Sequence, residues 1–202
     1  DQMSKAKISK LVFSSTAATY GEPEVIPITE ASNTKPTSPY GTTKLAVDQM
    51  ITDEAKSGLA AISLRYFNVA GAYKSKAGWL AERHNPETHL IPNLLRSTAD
   101  NPLNIFGDDW PTKDGTCIRD YIHIVDLIDA HILALENLKP NQHKIINLGS
   151  GGGYSVAEVI NAASKVLGRV IPVEVGARRS GDPAVLVADI SLAAQALNWA
   201  PK

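Results

Sequence analysis

Ile8-Ser9-Lys10-Leu11-Val12-Phe13-Ser14-Ser15-Thr16 is a short apolar run that ends in three hydroxyl side chains. A run of this length suits a strand buried in a parallel sheet. In open α/β sheets the carboxyl edge of such strands is where ligands sit. Taken alone, the three hydroxyls also fit ordinary loop polarity. Downstream, Gly21, Pro23, Pro27, Pro36 and Pro39 mark a long extended loop. Ser38-Pro39 then opens a helix expected from Tyr40 to about Lys56, stopped by Gly58.

Tyr40 and Lys44 are four residues apart, so a helix places them on one face. A positive charge beside a phenol favours the phenolate and makes it a usable acid/base for a hydroxyl-bearing carbon. By itself the pair also fits a half-buried ring beside a solvated amine. A second apolar run, Ala60 to Tyr66, alternates little and reads as a strand buried on both faces, ending in Phe67-Asn68. Ser15-Thr16, Tyr40/Lys44 and Tyr66-Phe67-Asn68 thus all fall on or just after strand ends, the first convergence in the chain.

Further strands are expected at Leu103–Phe106, Arg119–Ile124, Lys144–Leu148 and 170–175. Further helices are expected from Leu90 to about Ala99, at 125–138, after a Ser155/Glu158 capping box, and at Ser191–Leu197. Gly71–Thr88 reads as loop. The Gly149–Gly153 cluster lacks the Lys-Ser/Thr of a phosphate loop and reads as a tight strand-to-helix turn.

Composition bounds the function. With 202 residues, 44% hydrophobic and 20% charged, this is an ordinary globular chain with room for a sizeable core. A net charge of -1 gives no case for nucleic acid or an anionic membrane as partner. The one cysteine, Cys117, excludes an internal disulfide and a cysteine-built zinc site. The five histidines show no metal-ligand spacing, so no metal is expected. Without a signal peptide or an apolar run near 18 residues, a cytoplasmic location is expected. The chain does not start with Met, and both ends read as cuts through a larger fold.

Several blocks, in order, carry a resemblance: Leu11-Val12-Phe13-Ser14-Ser15-Thr16-Ala17-Ala18-Thr19-Tyr20-Gly21, Tyr40-x-x-x-Lys44, Arg65-Tyr66-Phe67-Asn68, Gly107-Asp108-Asp109-Trp110-Pro111-Thr112, Arg119-Asp120-Tyr121-Ile122-His123, Asn147-Leu148-Gly149 and Arg178-Arg179-x-Gly181-Asp182. Together they resemble the UDP-glucose 4-epimerases, a family of extended short-chain dehydrogenases/reductases, over nearly the whole chain. The resemblance implies an α/β fold: part of a Rossmann lobe (a doubly wound parallel sheet) at 1–66 and 123–150, and a smaller α/β lobe for the UDP-sugar at 67–122 and 151–202. The family's Gly-x-x-Gly-x-x-Gly fingerprint for NAD has no counterpart here, so a fragment lacking the N-terminal half of that lobe is expected.

By resemblance, Tyr40 is the acid/base at the sugar 4-hydroxyl, and Lys44 supports it and contacts the nicotinamide ribose. Thr16 hydrogen-bonds the same hydroxyl, and Phe67 lies by the nicotinamide. Asn68, Arg119 and Arg179 hold the diphosphate, for which guanidinium forks are suited. His89 and Leu90 contact the substrate, although Asn is a common family choice at the first. Asn104, Ile105 and Phe106 line the uracil, and Asp182 accepts from the uridine ribose. Leu186 stands where a bulky Tyr restricts the pocket against N-acetylated sugars and a small residue opens it.

The activity implied is interconversion of UDP-galactose and UDP-glucose on bound NAD, in galactose metabolism, by a homodimer that packs the Tyr40 helix against its partner. Two alternatives stand beside it. Related dehydratases place acidic groups just after the Thr, where this chain has Ala17 and Ala18. A catalytically inactive fragment is the other.

Overall fold

The computed structural model describes residues 2–202 and contains the expected parallel strands; the part of the expectation that concerns Asp1 lies outside the described residues. A short helix α1 (Gln2–Lys5) leads into β1 (Lys10–Ser14), and a single 3-10 turn (Ala17–Thr19) follows it. Then come α2 (Pro39–Ala55), β2 (Ala60–Tyr66), β3 (Asn68–Ala70) and the hairpin β4 (Tyr73–Ser75) and β5 (Gly78–Leu80). The middle of the chain gives α3 (Leu90–Arg96), β6 (Leu103–Phe106), β7 (Ile118–Arg119), β8 (Tyr121–His123), α4 (Ile124–Glu136) and β9 (Gln142–Leu148). The rest is β10 (Tyr154–Ser155), α5 (Val156–Leu167), β11 (Val173–Gly176), β12 (Val185–Leu186) and α6 (Ser191–Leu197).

The longest strands form a three-stranded parallel sheet in the order β1-β2-β9. Side chains alternate across it. Ile62 and Leu64 of β2, with Ile146 and Leu148 of β9, are buried against Leu127, Ala130 and Ala134 of α4. Each of these Ile and Leu side chains contributes about 1.5–3 kcal/mol by leaving water, so this face anchors α4 to the sheet. Arg65 of β2 points the other way, to Asp48 on α2. The sheet is therefore sandwiched between α2 and α4. Ala193, Leu197 and Trp199 join the α4 face. The segment 191–202, expected with the smaller lobe, thus packs against α4 and the three-stranded sheet; a ring the size of Trp199, hydrogen-bonded through Nε1 to the Asp126 carbonyl at 2.9 Å, settles where it docks.

Beneath α2, His143 shares hydrogen bonds with Thr52 Oγ1 and Ser63 Oγ, both 2.8 Å. Burial pushes this imidazole's pKa below its usual value, outweighing nearby Asp48, which acts the other way. The unfolded ring takes a proton near pH 6.5, the folded one only at lower pH. Stability is therefore constant in this respect above about pH 6.5 and falls as pH drops below it. Urea titrations from pH 8 to 5 are expected to show that loss, and His143→Gln to remove its histidine component.

In two further sheets β11 pairs in parallel with β6, and β7 lies between β10 and β12. The Ser155/Glu158 capping box that starts α5 is present in both directions. The strand expected over Arg119–Ile124 is instead two, β7 and β8, because the buried Asp120 between them turns its carboxylate onto the glycine loop. It accepts from Ser150 N and Oγ, Gly151 N and Ala188 N at 2.6–3.1 Å. A side chain at Gly149 would start 2.4 Å from Asp120 Oδ2, so only glycine fits. The turn expected at Gly149–Gly153 is there, and its N–H groups hold an internal carboxylate where a phosphate loop would hold a ligand.

Candidate functional site

The carboxyl edge of β1 and β2 carries the first group of expected site residues. Thr16 caps the 3-10 turn by accepting from Ala18 N at 3.1 Å. Its own O–H proton has no acceptor among the described residues. Helix α2 starts with Ser38 as N-cap, accepting from Gly41 N at 3.1 Å, and with Pro39 in its first turn. A Cβ on Gly41 would lie 2.4 Å from the Ala18 carbonyl oxygen. The missing side chain is what lets the first turn of α2, with Tyr40, close onto the segment after Thr16.

Tyr40 is 53% exposed on this edge. Lys44 donates to the Ser14 carbonyl at 2.9 Å, with its ammonium 4.8 Å from the Phe13 ring centre and 5.8 Å from that of Tyr40. The two are on one face, as helical spacing demands, but the ammonium is tied to the backbone of β1 rather than to the phenol oxygen. It keeps two donors in hand.

Sequence reasoning missed the groups that hold this edge in place. His131 Nδ1 lies 2.8 Å from the Leu127 carbonyl, which can only accept, so Nδ1 carries the proton. In the neutral ring Nε2 then accepts from Ser14 Oγ at 3.0 Å. Tyr66 packs beside His131, and burial raises its pKa. Below α2, Asp48 Oδ2 accepts from Arg65 Nε and Nη2 and from Ser15 Oγ at 3.0–3.1 Å, while the Arg65 guanidinium covers the Tyr20 ring at 4.9 Å. One carboxylate thus ties α2, the end of β1 and β2 together, one helical turn below Lys44. These partners are far apart in sequence, and no local spacing announces them.

The second group lines a cleft of about 620 Å³. Asn68 of β3, His89 and Leu90 at the start of α3, and Asn104, Ile105 and Phe106 of β6 line it together with Arg119, Arg179 and Asp182. Arg179 lays its guanidinium 3.7 Å from the Phe106 ring centre. Arg119 donates to the Ile118 carbonyl at 2.9 Å and sits 3.8 Å from Asp182. Tyr121, not singled out from sequence, also lines the cleft, and its phenol is pushed up to about 12, mainly by burial and next by Cys117. It stays a neutral donor across the physiological range.

Phe67 is buried with Ala17, Tyr20, Ile28 and Ala188, a wall behind the edge rather than an exposed platform. Leu186 does not line the cleft: it packs beside that cluster, paired through β12 with Arg119. Edge and cleft are joined by the consecutive residues Tyr66-Phe67-Asn68.

One grouping escaped the reading of the histidines. The loop before α3 brings Glu82, His84, Glu87 and His89 together, with one ligand atom of each within 4.8 Å of the others. Chiefly the His89 N–H, at 3.0 Å, brings the Glu87 carboxyl down to about 2. The expectation of no metal-ligating group rested on spacing, and two histidines five apart outside a helix give no such signal.

A parallel sheet with a Tyr-x-x-x-Lys helix at its carboxyl edge, joined to a polar cleft, is the architecture of the short-chain dehydrogenase/reductase class. Within that class the chain belongs to the NAD dependent epimerase/dehydratase family, whose model matches residues 1–149. It is 54% identical over its whole length to a UDP-glucose 4-epimerase of Corynebacterium glutamicum, and spans 61% of that protein. A UDP-glucose 4-epimerase of Streptomyces lividans is 50% identical, again over 100% of this chain and 60% of the relative. Among solved structures, UDP-glucose 4-epimerase from Brucella ovis in complex with NAD superposes with a TM-score of 0.91 at 42% identity, covering 99% of this chain and 62% of that one. The Stenotrophomonas maltophila enzyme with bound NAD and formylated UDP-arabinopyranose gives 0.91 at 39% identity, with 99% and 61% covered. The chain therefore spans about three fifths of the length of the relatives it matches. Among the described residues no helix is long and apolar enough to cross a membrane.

Proposed function

We propose that this chain supplies the proton-transfer residues and the UDP-sugar cleft of a UDP-glucose 4-epimerase acting in galactose metabolism. The observation that carries the reading is the cleft. Asn68, Asn104, Arg119 and the Arg179/Asp182 turn come from four separate segments, yet line one cavity that the Tyr66-Phe67-Asn68 bridge joins to the Tyr40/Lys44 edge. Two guanidinium groups suit a diphosphate, and Phe106 with the Arg179 guanidinium over it suits a flat base.

The residues present fit the nicotinamide end of NAD. Two of the three Lys44 ammonium donors are unspent beside the exposed Tyr40, and the Thr16 O–H is unspent nearby. Among the described residues nothing cradles its phosphates, because the glycine loop is filled by Asp120. When bound, NAD supplies the acceptor and later the donor of hydride at sugar C4. Tyr40 takes the proton of the 4-hydroxyl and returns it, with Thr16 orienting that hydroxyl and Lys44 favouring the phenolate. The cleft keeps hold of the UDP group while the 4-keto sugar turns, so binding energy far from C4 holds the reacting carbon in reach. Net redox change is zero. Dehydration is disfavoured by Ala17, which is buried, and Ala18, since neither side chain carries a proton.

The same reading implies a cytoplasmic homodimer that packs the outer face of α2, where Met50 is exposed, against a partner. For the substrate the expected result is specific. Arg179→Ala raises KM for UDP-galactose by about 10- to 100-fold, the value of a charge-assisted hydrogen bond, with kcat changed far less. Steady-state kinetics on the purified protein measures this; an unchanged KM contradicts the diphosphate assignment.

A further inference from the structure

We propose that Glu82, His84, Glu87 and His89 form a binding site for a first-row divalent transition metal, with zinc as the probe of choice. The site stands on its own geometry and does not depend on what the neighbouring cleft binds. His89 Nδ1 lies 2.7 Å from Glu82 Oε1 and 2.9 Å from Glu87 Oε1, and His84 Nδ1 contacts the same Glu82 oxygen. The two imidazole rings are 5.3 Å apart. Two carboxylates therefore converge on a single ring nitrogen. Among the described residues no lysine or arginine pairs with either of them; their partners are the two histidines.

A second observation is independent of this convergence. The Glu87 side chain is only 3% exposed, and its Oε2 has no hydrogen-bond partner. Buried carboxylate oxygens are ordinarily satisfied, and here the other oxygen of the same group is already engaged with His89 and Thr88. A cation that Glu87 holds through both oxygens would give Oε2 the partner it lacks.

The donor set selects the ion. Two imidazole nitrogens and two carboxylate oxygens match tetrahedral zinc, whereas magnesium and calcium prefer oxygen alone. Bonds of roughly 2.0–2.2 Å place tetrahedral ligand atoms roughly 3.4 Å apart. That lies between the 2.7 Å spacing of His89 and Glu82 and the 4.8 Å outer limit of the group. Only small side-chain rotations are needed, and His84, 63% exposed, is free to make them. Bound this way, the ion engages Nδ1 of His89 and leaves Nε2 open. Because Glu87 and His89 also line the cleft, the ion would fix the loop that forms this wall.

The test uses tag-free protein stripped with a chelator and then titrated with zinc by calorimetry and by thermal melting. One zinc per chain and a raised melting temperature are expected, with magnesium at the same concentration giving no shift. His84→Ala, on an exposed ring, and the isosteric Glu82→Gln should each weaken zinc binding by at least about tenfold. Absence of zinc binding overturns the site. So does binding that both variants leave unchanged, which would put the zinc elsewhere. A melting temperature that responds to pH through His84 but not to zinc also overturns it, since protons would then be what closes the cluster.

Discussion

Tyr40→Phe is expected to lower turnover of UDP-galactose by about 10²- to 10⁴-fold, the usual contribution of a positioned acid/base, while leaving KM within a few-fold. The phenol oxygen is the only atom removed. Tyr40 is half exposed at the sheet edge, so its hydroxyl contributes little to folding. Its stage in the first turn of α2 is set by Ser38, Pro39 and Gly41, none of which the substitution touches. The melting temperature should therefore stay unchanged while kcat collapses, a split that a structural role would not give. Lys44→Met should reduce turnover too, but less selectively, because its ammonium also bonds the Ser14 carbonyl that ends β1. Full activity in Tyr40→Phe would remove Tyr40 from the chemistry.

Asp48→Ala is expected to destabilise the fold by about 3–5 kcal/mol. Asp48 and Arg65 are 2% and 3% exposed as side chains, and the pair meets at 3.0 Å. Deleting the carboxylate leaves a buried guanidinium without its counter-charge and frees Ser15 from its acceptor. At roughly 2–4 °C per kcal/mol for a chain of this size, the melting temperature should fall by about 10 °C. Asp48→Leu combined with Arg65→Met should recover most of that loss, since replacing both charges with apolar groups is often neutral. A loss under about 1 kcal/mol in Asp48→Ala would mean the pair does not tie α2 to the sheet.

Elements with local causes were legible in the sequence, and contacts between distant residues were not. Leu103–Phe106 and Ser191–Leu197 have the bounds read from sequence, and the Ser155/Glu158 box starts α5, because caps and apolar runs are local signals. The hairpin of β4 and β5 lies in what reads as loop, since strands of three residues, all exposed but the half-buried Ser75, show no usable alternation. Helix α3 ends at Arg96 rather than Ala99, where Ser97 turns extended and donates its hydroxyl to the Leu94 carbonyl. For the candidate site, the motif blocks hold Tyr40, Lys44, Asn68, Arg119, Arg179 and Asp182, while His89, Leu90 and Asn104 to Phe106 come only from the resemblance. The last four of the former and all of the latter line the cleft. The supports were illegible: Ser14 meets His131 across 117 residues, and Asp120 meets Ala188 across 68. Contacts that only the tertiary fold makes leave no period in the sequence.

The central claim, that one chain edge moves a proton while hydride leaves and returns at the same carbon, has a direct test. Protein containing this chain would be given UDP-galactose deuterated at sugar C4, with NAD, and the UDP-glucose formed would be examined by mass spectrometry and NMR. The account predicts conversion with the deuterium retained at C4 and no solvent hydrogen there. Conversion with the label washed out would contradict hydride return, and absence of any conversion in NAD-loaded protein would contradict the epimerase reading itself.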